Sequence, residues 1–318
     1  MKKYIFPLLI LAASGLASCQ QDRLDEESVI KDTTVEMNEF DYWLEANLLR
    51  PYNIEFKYRY EMNESDLGFW TVPADINAAI NYAHLVKYLC VDTYDEVAGI
   101  DFTRSYFPKM FFLIGAWEYR NNGSFVLGTA EAGKKIMLSG VNDLPFILDY
   151  YEGTELADNL NHYYIKTIHH EFTHILNQTK TYAENFGQIT SNTYVGDACF
   201  DTDPYWRGRG YITDYAQSEH REDFAELFSE YITHDAAWWQ AQLDAAHSET
   251  TNVRQVTPDA EYGDVLINAK MDIVRAYLQD SWGIDIDELR DILGRRFGDV
   301  VAGRVDLNSV KLTAQEEQ

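Results

Sequence analysis

LNHYYIKTIHHEFTHILNQ, residues 160–178, is the stretch from which the rest of the chain can be organised. Leu160, Tyr164, Ile168, Phe172 and Ile175 recur every three or four residues, which predicts an amphipathic helix with one apolar stripe, inside a longer helical segment spanning 155–179. At about 100° per residue, His170 and His174 lie one turn apart on a single face, with Thr167 and Asn177 beside them. Two imidazoles so placed can reach one metal ion. Glu171, about 100° round from His170, borders the same face and can reach water at the ion rather than the ion itself. That is the position a general base needs. His169 points elsewhere by about 100° and is expected to pack or to support, not to ligate.

A tetrahedral catalytic site takes three protein ligands and leaves one position for water. The metzincin extension would put a glycine at position 177 and a histidine at position 180, but the chain has Asn177 and Lys180, so the third ligand must come from elsewhere. The segment 219–233, EHREDFAELFSEYIT, offers Glu222 and Glu226 one turn apart, flanked by the apolar positions Phe224, Leu227, Phe228 and Tyr231. One carboxylate can bind the metal while the other accepts the N–H of a ligand histidine and fixes its tautomer. Geometry alone allows either assignment. Imidazole and carboxylate donors suit zinc and are compatible with cobalt, nickel or manganese.

HEFTH followed 48 residues later by EDFAE resembles the motif pair of gluzincin-type metallopeptidases. Together with the N-terminal segment described below, the chain is similar to the zinc-binding metallopeptidase lipoproteins of Bacteroidetes, which are associated with starch-utilisation-type nutrient import. The resemblance implies a zincin-like α+β fold and one Zn2+ per chain held by His170, His174 and Glu222. It further implies Glu171 as catalytic base, Glu226 as support for a ligand histidine, and a peptide or protein substrate. Some gluzincins place a catalytic tyrosine near the position of Tyr215, seven residues before Glu222, where a phenol could donate to a developing oxyanion; Tyr211, His220 and His234 compete for that role. The rival expectation is a non-catalytic envelope lipoprotein that holds glycan or peptide within a nutrient-import complex.

Around these motifs the sequence predicts an α+β chain. Helical spacing covers Asn38 to Leu49 and Pro73 to Leu89, and a strand pattern covers Asn53 to Tyr60. A small mixed sheet follows from Lys109 to Trp117, Ser124 to Thr129 and Lys134 to Ser139. Phe125 to Ala130 or Ile136 to Ser139 is the expected edge along which an extended peptide could pair. Residues 183–212 read as loop, and Ser218 to Phe297 as helices broken by a polar stretch from Ser248 to Asp259. The boundary between an α+β part, 37–180, and a mainly helical part, 181–318, is expected after the HExxH helix.

Lys2 and Lys3, the apolar run Tyr4 to Leu11 and Leu16-Ala17-Ser18-Cys19 resemble a bacterial lipoprotein signal peptide over residues 1–18. Cleavage before Cys19 and acylation of its sulfur would anchor the chain in the outer membrane of the cell envelope, with the polar, acidic residues 19–36 as tether. Losing residues 1–18 removes Lys2 and Lys3, so the net charge of -26 becomes -28. Such a charge repels a phosphate backbone, and nucleic acid is excluded as a partner. Cys90 and Cys199 could meet in an exported chain, although two buried free thiols are the expectation.

Overall fold

Local sequence signals set the first elements. Asn38 caps α1 (Glu39–Leu44) by accepting from the Asp41 N–H at 2.9 Å while the Asp41 carboxylate accepts from the Asn38 N–H at 2.8 Å, a reciprocal capping box. Asp75 caps α2 (Ile76–Leu85) through the Asn77 and Ala78 N–H groups, so this helix starts three residues after Pro73. The computed structural model describes residues 36–64, 68–119, 125–131, 135–200 and 204–312. The signal segment, Cys19 and the tether as far as residue 35 lie outside the described residues. Residues 38–318 form one unit, and α+β and helical parts contribute to a shared core.

The main sheet has the order β1-β2-β6-β5, formed by β1 (Glu55–Lys57), β2 (Met110–Leu113), β5 (Gly128–Glu131) and β6 (Lys135–Leu138). β1, β2 and β6 run parallel, with Phe111 opposite Ile136 and Leu113 opposite Leu138; β5 pairs antiparallel to β6. The sheet is therefore mixed, as expected. Phe111, Phe112 and Leu113 are all fully buried, which explains the unbroken apolar run: both faces of this strand are covered. The expected strand over 124–129 is not continuous among its described residues, 125–129. β4 (Phe125–Val126) pairs with β3 (Glu118–Tyr119) in a separate ladder, and β5 begins after Leu127. Among the described residues β1 and β5 are the edge strands of the main sheet, whereas Ile136 to Ser139 cannot serve as an edge because β6 lies between β2 and β5.

Two short helices escape the periodicity reading, α4 (Ile100–Tyr106) and α5 (Leu144–Tyr150), and α2 runs past its expected end at Leu89, through a π-helical turn, Val86–Val91, into α3 (Asp92–Ala98). α4 and α5 have seven residues each, fewer than two full turns plus caps, too few for a repeat to show. The central helix is as expected in extent: α6 (Gly153–Leu160) continues through a π-helical turn, Asn161–Ile165, into α7 (Lys166–Thr179). α7 buries Ile168, Phe172 and Leu176, and Phe172 meets Tyr94, Phe102 and Phe107 with ring centroids at 4.8, 6.1 and 5.1 Å. Each such side chain contributes about 1.5–3 kcal/mol by leaving water. Gly128 brings β5 against α7: a Cβ there would stand 2.8 Å from Thr167 Cγ2 and 2.8 Å from the Met137 carbonyl oxygen, so a larger residue would push the edge strand off the helix.

Four helices complete the fold: α8 (His220–Thr233), α9 (Ala236–Val256), α10 (Gly263–Trp282) and α11 (Ile286–Val301). The polar stretch from Ser248 does not break α9, which runs on to Val256. Its Thr250 is fully buried, donates to the Ala246 carbonyl at 2.8 Å and accepts from the Gly263 N–H at 2.9 Å. A threonine that ties two helices together reads as a breaker only when its partners are unseen. No helix among the described residues is long and apolar enough to cross a membrane.

Candidate metal centre

α7 and α8 pack side by side and turn His170, His174 and Glu222 toward one point. His170 Nε2 lies 3.0 Å from Glu222 Oε2, His174 Nε2 lies 3.3 Å from the same oxygen, and the two Nε2 atoms are 3.1 Å apart. Tetrahedral zinc with bonds of about 2.0–2.1 Å requires neighbouring donor atoms about 3.3 Å apart. The three groups therefore fit a divalent ion by spacing and by donor chemistry. Among the described residues no other group of three histidine, cysteine or carboxylate side chains converges in this way.

The charges around the centre support that fit. Burial alone would raise the Glu222 carboxyl, but His170 and His174 hold it well below the usual carboxylate range. Burial would likewise lower His170, yet Glu222 and Glu226 push it up to about 10, a measure of how strongly the pocket attracts a cation. Glu226 is almost fully buried, with Oε1 2.8 Å from His170 Nδ1, close though off the line of a well-directed hydrogen bond. Its Oε2 accepts from Thr213 at 2.8 Å and from Lys166 at 3.0 Å; Lys166 also reaches Glu230 at 2.8 Å. Glu226 thus faces the Nδ1 of the first histidine while Glu222 faces both Nε2 atoms. Lys166 and Thr213 were not read from the sequence. Lys166 lies four residues before His170 and was within reach of the one-turn rule; nothing local marks Thr213, which arrives from a loop.

Glu171 is half-buried beside these groups and its charge acts on both His170 and Tyr215. Tyr215 sits on the turn Tyr215–Gln217 ahead of α8, not on the helix itself. Its ring lies 6.1 Å from that of His170, and the Glu222 carboxylate acts on its phenol. Burial, then that carboxylate, raise its pKa, so the phenol remains a donor. The competing groups are engaged elsewhere. Tyr211 bonds Thr190 and Thr193, His220 bonds Tyr182, and His234 stacks on Trp238 beside Glu230. His169 turns into the core, with Tyr94 Oη 3.0 Å from Nδ1 and Cys90 Sγ 3.9 Å from Nε2; burial lowers its pKa to about 3 and keeps it neutral. Cys90 and Cys199 are both buried, and they are not joined in a disulfide.

Residues 33–287 match the family described as "Putative zinc-binding metallo-peptidase". A crystal structure from Bacteroides caccae, carrying the same description, is similar over 89% of this chain and 100% of its own, at 34% identity and a TM-score of 0.69. No curated protein matches. The family match spans the sheet, both motif helices and the converged histidines and glutamate between them, and on that ground the chain belongs to this family of zinc-binding metallopeptidases and is a zinc-dependent hydrolase.

Proposed function

We propose that the protein is a lipid-anchored metallopeptidase of the outer membrane in which His170, His174 and Glu222 hold one Zn2+ and Glu171 is the general base. The observation that carries this reading is the approach of His170 Nε2, His174 Nε2 and Glu222 Oε2 to within 3.3 Å of one another. When bound, zinc supplies a Lewis acid for the scissile carbonyl and lowers the pKa of water to near neutrality. Glu171 takes the proton from the attacking water and delivers it to the leaving amine nitrogen. Tyr215, held as a donor, hydrogen-bonds the oxygen on which negative charge develops. Glu226 accepts from His170 Nδ1–H, which leaves Nε2 as the ligating atom. The free edge of β5, pressed against α7 at Gly128, offers backbone groups to an extended peptide, as in β-augmentation.

The Leu16-Ala17-Ser18-Cys19 segment supports acylation of Cys19 and a place in the cell envelope, where peptide or protein substrates and a nutrient-import complex are the expected partners. Digestion of a peptide library by the purified protein, with and without chelator, tests the activity. Wild type should cleave and the chelator should stop it, whereas Glu171→Gln should keep its zinc and lose about 10²–10⁴-fold in turnover. A Glu171→Gln variant as active as wild type would overturn the assignment of the base.

A further inference from the structure

The loop ahead of α8 carries an aromatic side chain that the reaction as described does not use. The turn Gly196–Phe200 is fastened to the segment leading into α8: the Val195 N–H donates to the Gln217 carbonyl at 2.9 Å and the Gly196 N–H to the Ser218 carbonyl at 3.1 Å. This brings Phe200 face to face with Tyr215, ring centroids 5.9 Å apart and planes 8° apart. Tyr215 in turn has the His170 ring at 6.1 Å and feels the Glu222 carboxylate, so it links Phe200 to the metal centre. Phe200 is 61% exposed, and Val195, on the same fastened segment, is 37% exposed. A lone exposed apolar side chain is ordinary; one stacked in parallel on a ring beside the metal centre offers apolar surface next to the groups of the reaction.

We propose that Phe200 is a specificity-determining residue, which selects an apolar or aromatic substrate side chain next to the scissile bond by packing against it. Burying that side chain against the phenyl ring removes apolar surface from water, and the ring pair adds an aromatic contact when the substrate residue is itself aromatic. The carboxylates of Glu171 and Glu222 and the net charge of -26 disfavour an acidic residue at the same place. The inference rests on the peptidase reading above.

Two matched peptide series test it, alike except for phenylalanine, leucine or glycine at each residue flanking the cleaved bond. Phe200→Ala should lower kcat/KM by about 10- to 100-fold for the phenylalanine and leucine peptides at one flank, leave the glycine peptide within about twofold, and keep the zinc content of wild type. Phe200→Leu should restore most of the preference. An equal loss on apolar and glycine peptides would make Phe200 only a prop for Tyr215, and no change on any peptide would remove it from the cleft; either result overturns the proposal while leaving the peptidase reading in place. Wild type that cleaves no peptide would sink both.

Discussion

Glu226→Gln separates the residue that holds the metal from the residue that holds a ligand. The substitution keeps the shape of a side chain that is 3% exposed and removes its charge. Glu226 Oε1 lies 2.8 Å from His170 Nδ1, while Oε2 is held by Thr213 at 2.8 Å and Lys166 at 3.0 Å. Lys166 keeps Glu230 at 2.8 Å in the variant, so no buried cation is stranded. What is lost is the orientation and basicity of one imidazole. Partners of this kind are worth about 10- to 100-fold in metal affinity, or about 1.4–2.8 kcal/mol. Glu222→Gln removes charge from a group at 3.0 and 3.3 Å from the two Nε2 atoms and should cost more, leaving zinc substoichiometric. Competition with a chromophoric chelator at fixed pH reads both losses. A Glu226 variant that loses more zinc than the Glu222 variant would exchange the two roles, and two variants with wild-type affinity would refute the centre.

Tyr215→Phe should retain zinc and lower kcat by about 10²–10³-fold, with KM little changed; unchanged kcat would remove the phenol from the reaction. His170, ordinarily near 6.5, is pushed up to about 10 without metal, burial opposing the shift and Glu222 and Glu226 producing it. Zinc binds the neutral imidazole, so binding near pH 7.5 should release a proton, and this group should weaken affinity about tenfold per pH unit of acidification. The same raised pKa contributes stability to the metal-free protein that is complete below 6.5 and lost as pH rises through about 10. Calorimetry in buffers of different ionisation enthalpy measures the proton, and its absence would contradict the assignment. Phe172→Ala, which empties a fully buried site among Tyr94, Phe102 and Phe107, should destabilise by about 3–5 kcal/mol in denaturant unfolding; a loss below about 1 kcal/mol would mean this cluster does not hold α7.

What the sequence reveals follows the length of its patterns. The segment 155–179 shows its helix because five apolar positions repeat over about four turns, and the same repeat places His170 and His174 on one face. The seven-residue helices at Ile100 and Leu144 complete no such repeat. The run 124–129 reads as one strand between two turn signals, yet Phe125–Val126 and Gly128–Thr129 serve different ladders, a division made by their partners at Glu118 and Met137. Thr250 shows the same limit: a polar residue that reads as a break is buried once Ala246 and Gly263 supply its hydrogen bonds. At the centre, pairings within one helix are legible, while Thr213 and Phe200 come from loops whose folding depends on distant contacts. Glu222 and Glu226 are alike in their spacing along the helix; only the packing of α8 on α7 sets Glu222 beside the two Nε2 atoms and Glu226 beside His170 Nδ1.

Anomalous scattering at the zinc edge from crystals of the purified chain decides whether the three side chains share a metal. The account predicts one peak per chain, about 2.0–2.2 Å from His170 Nε2, His174 Nε2 and a Glu222 carboxylate oxygen. A peak bound elsewhere, or these three side chains turned away from a zinc that the protein nonetheless retains, would contradict it.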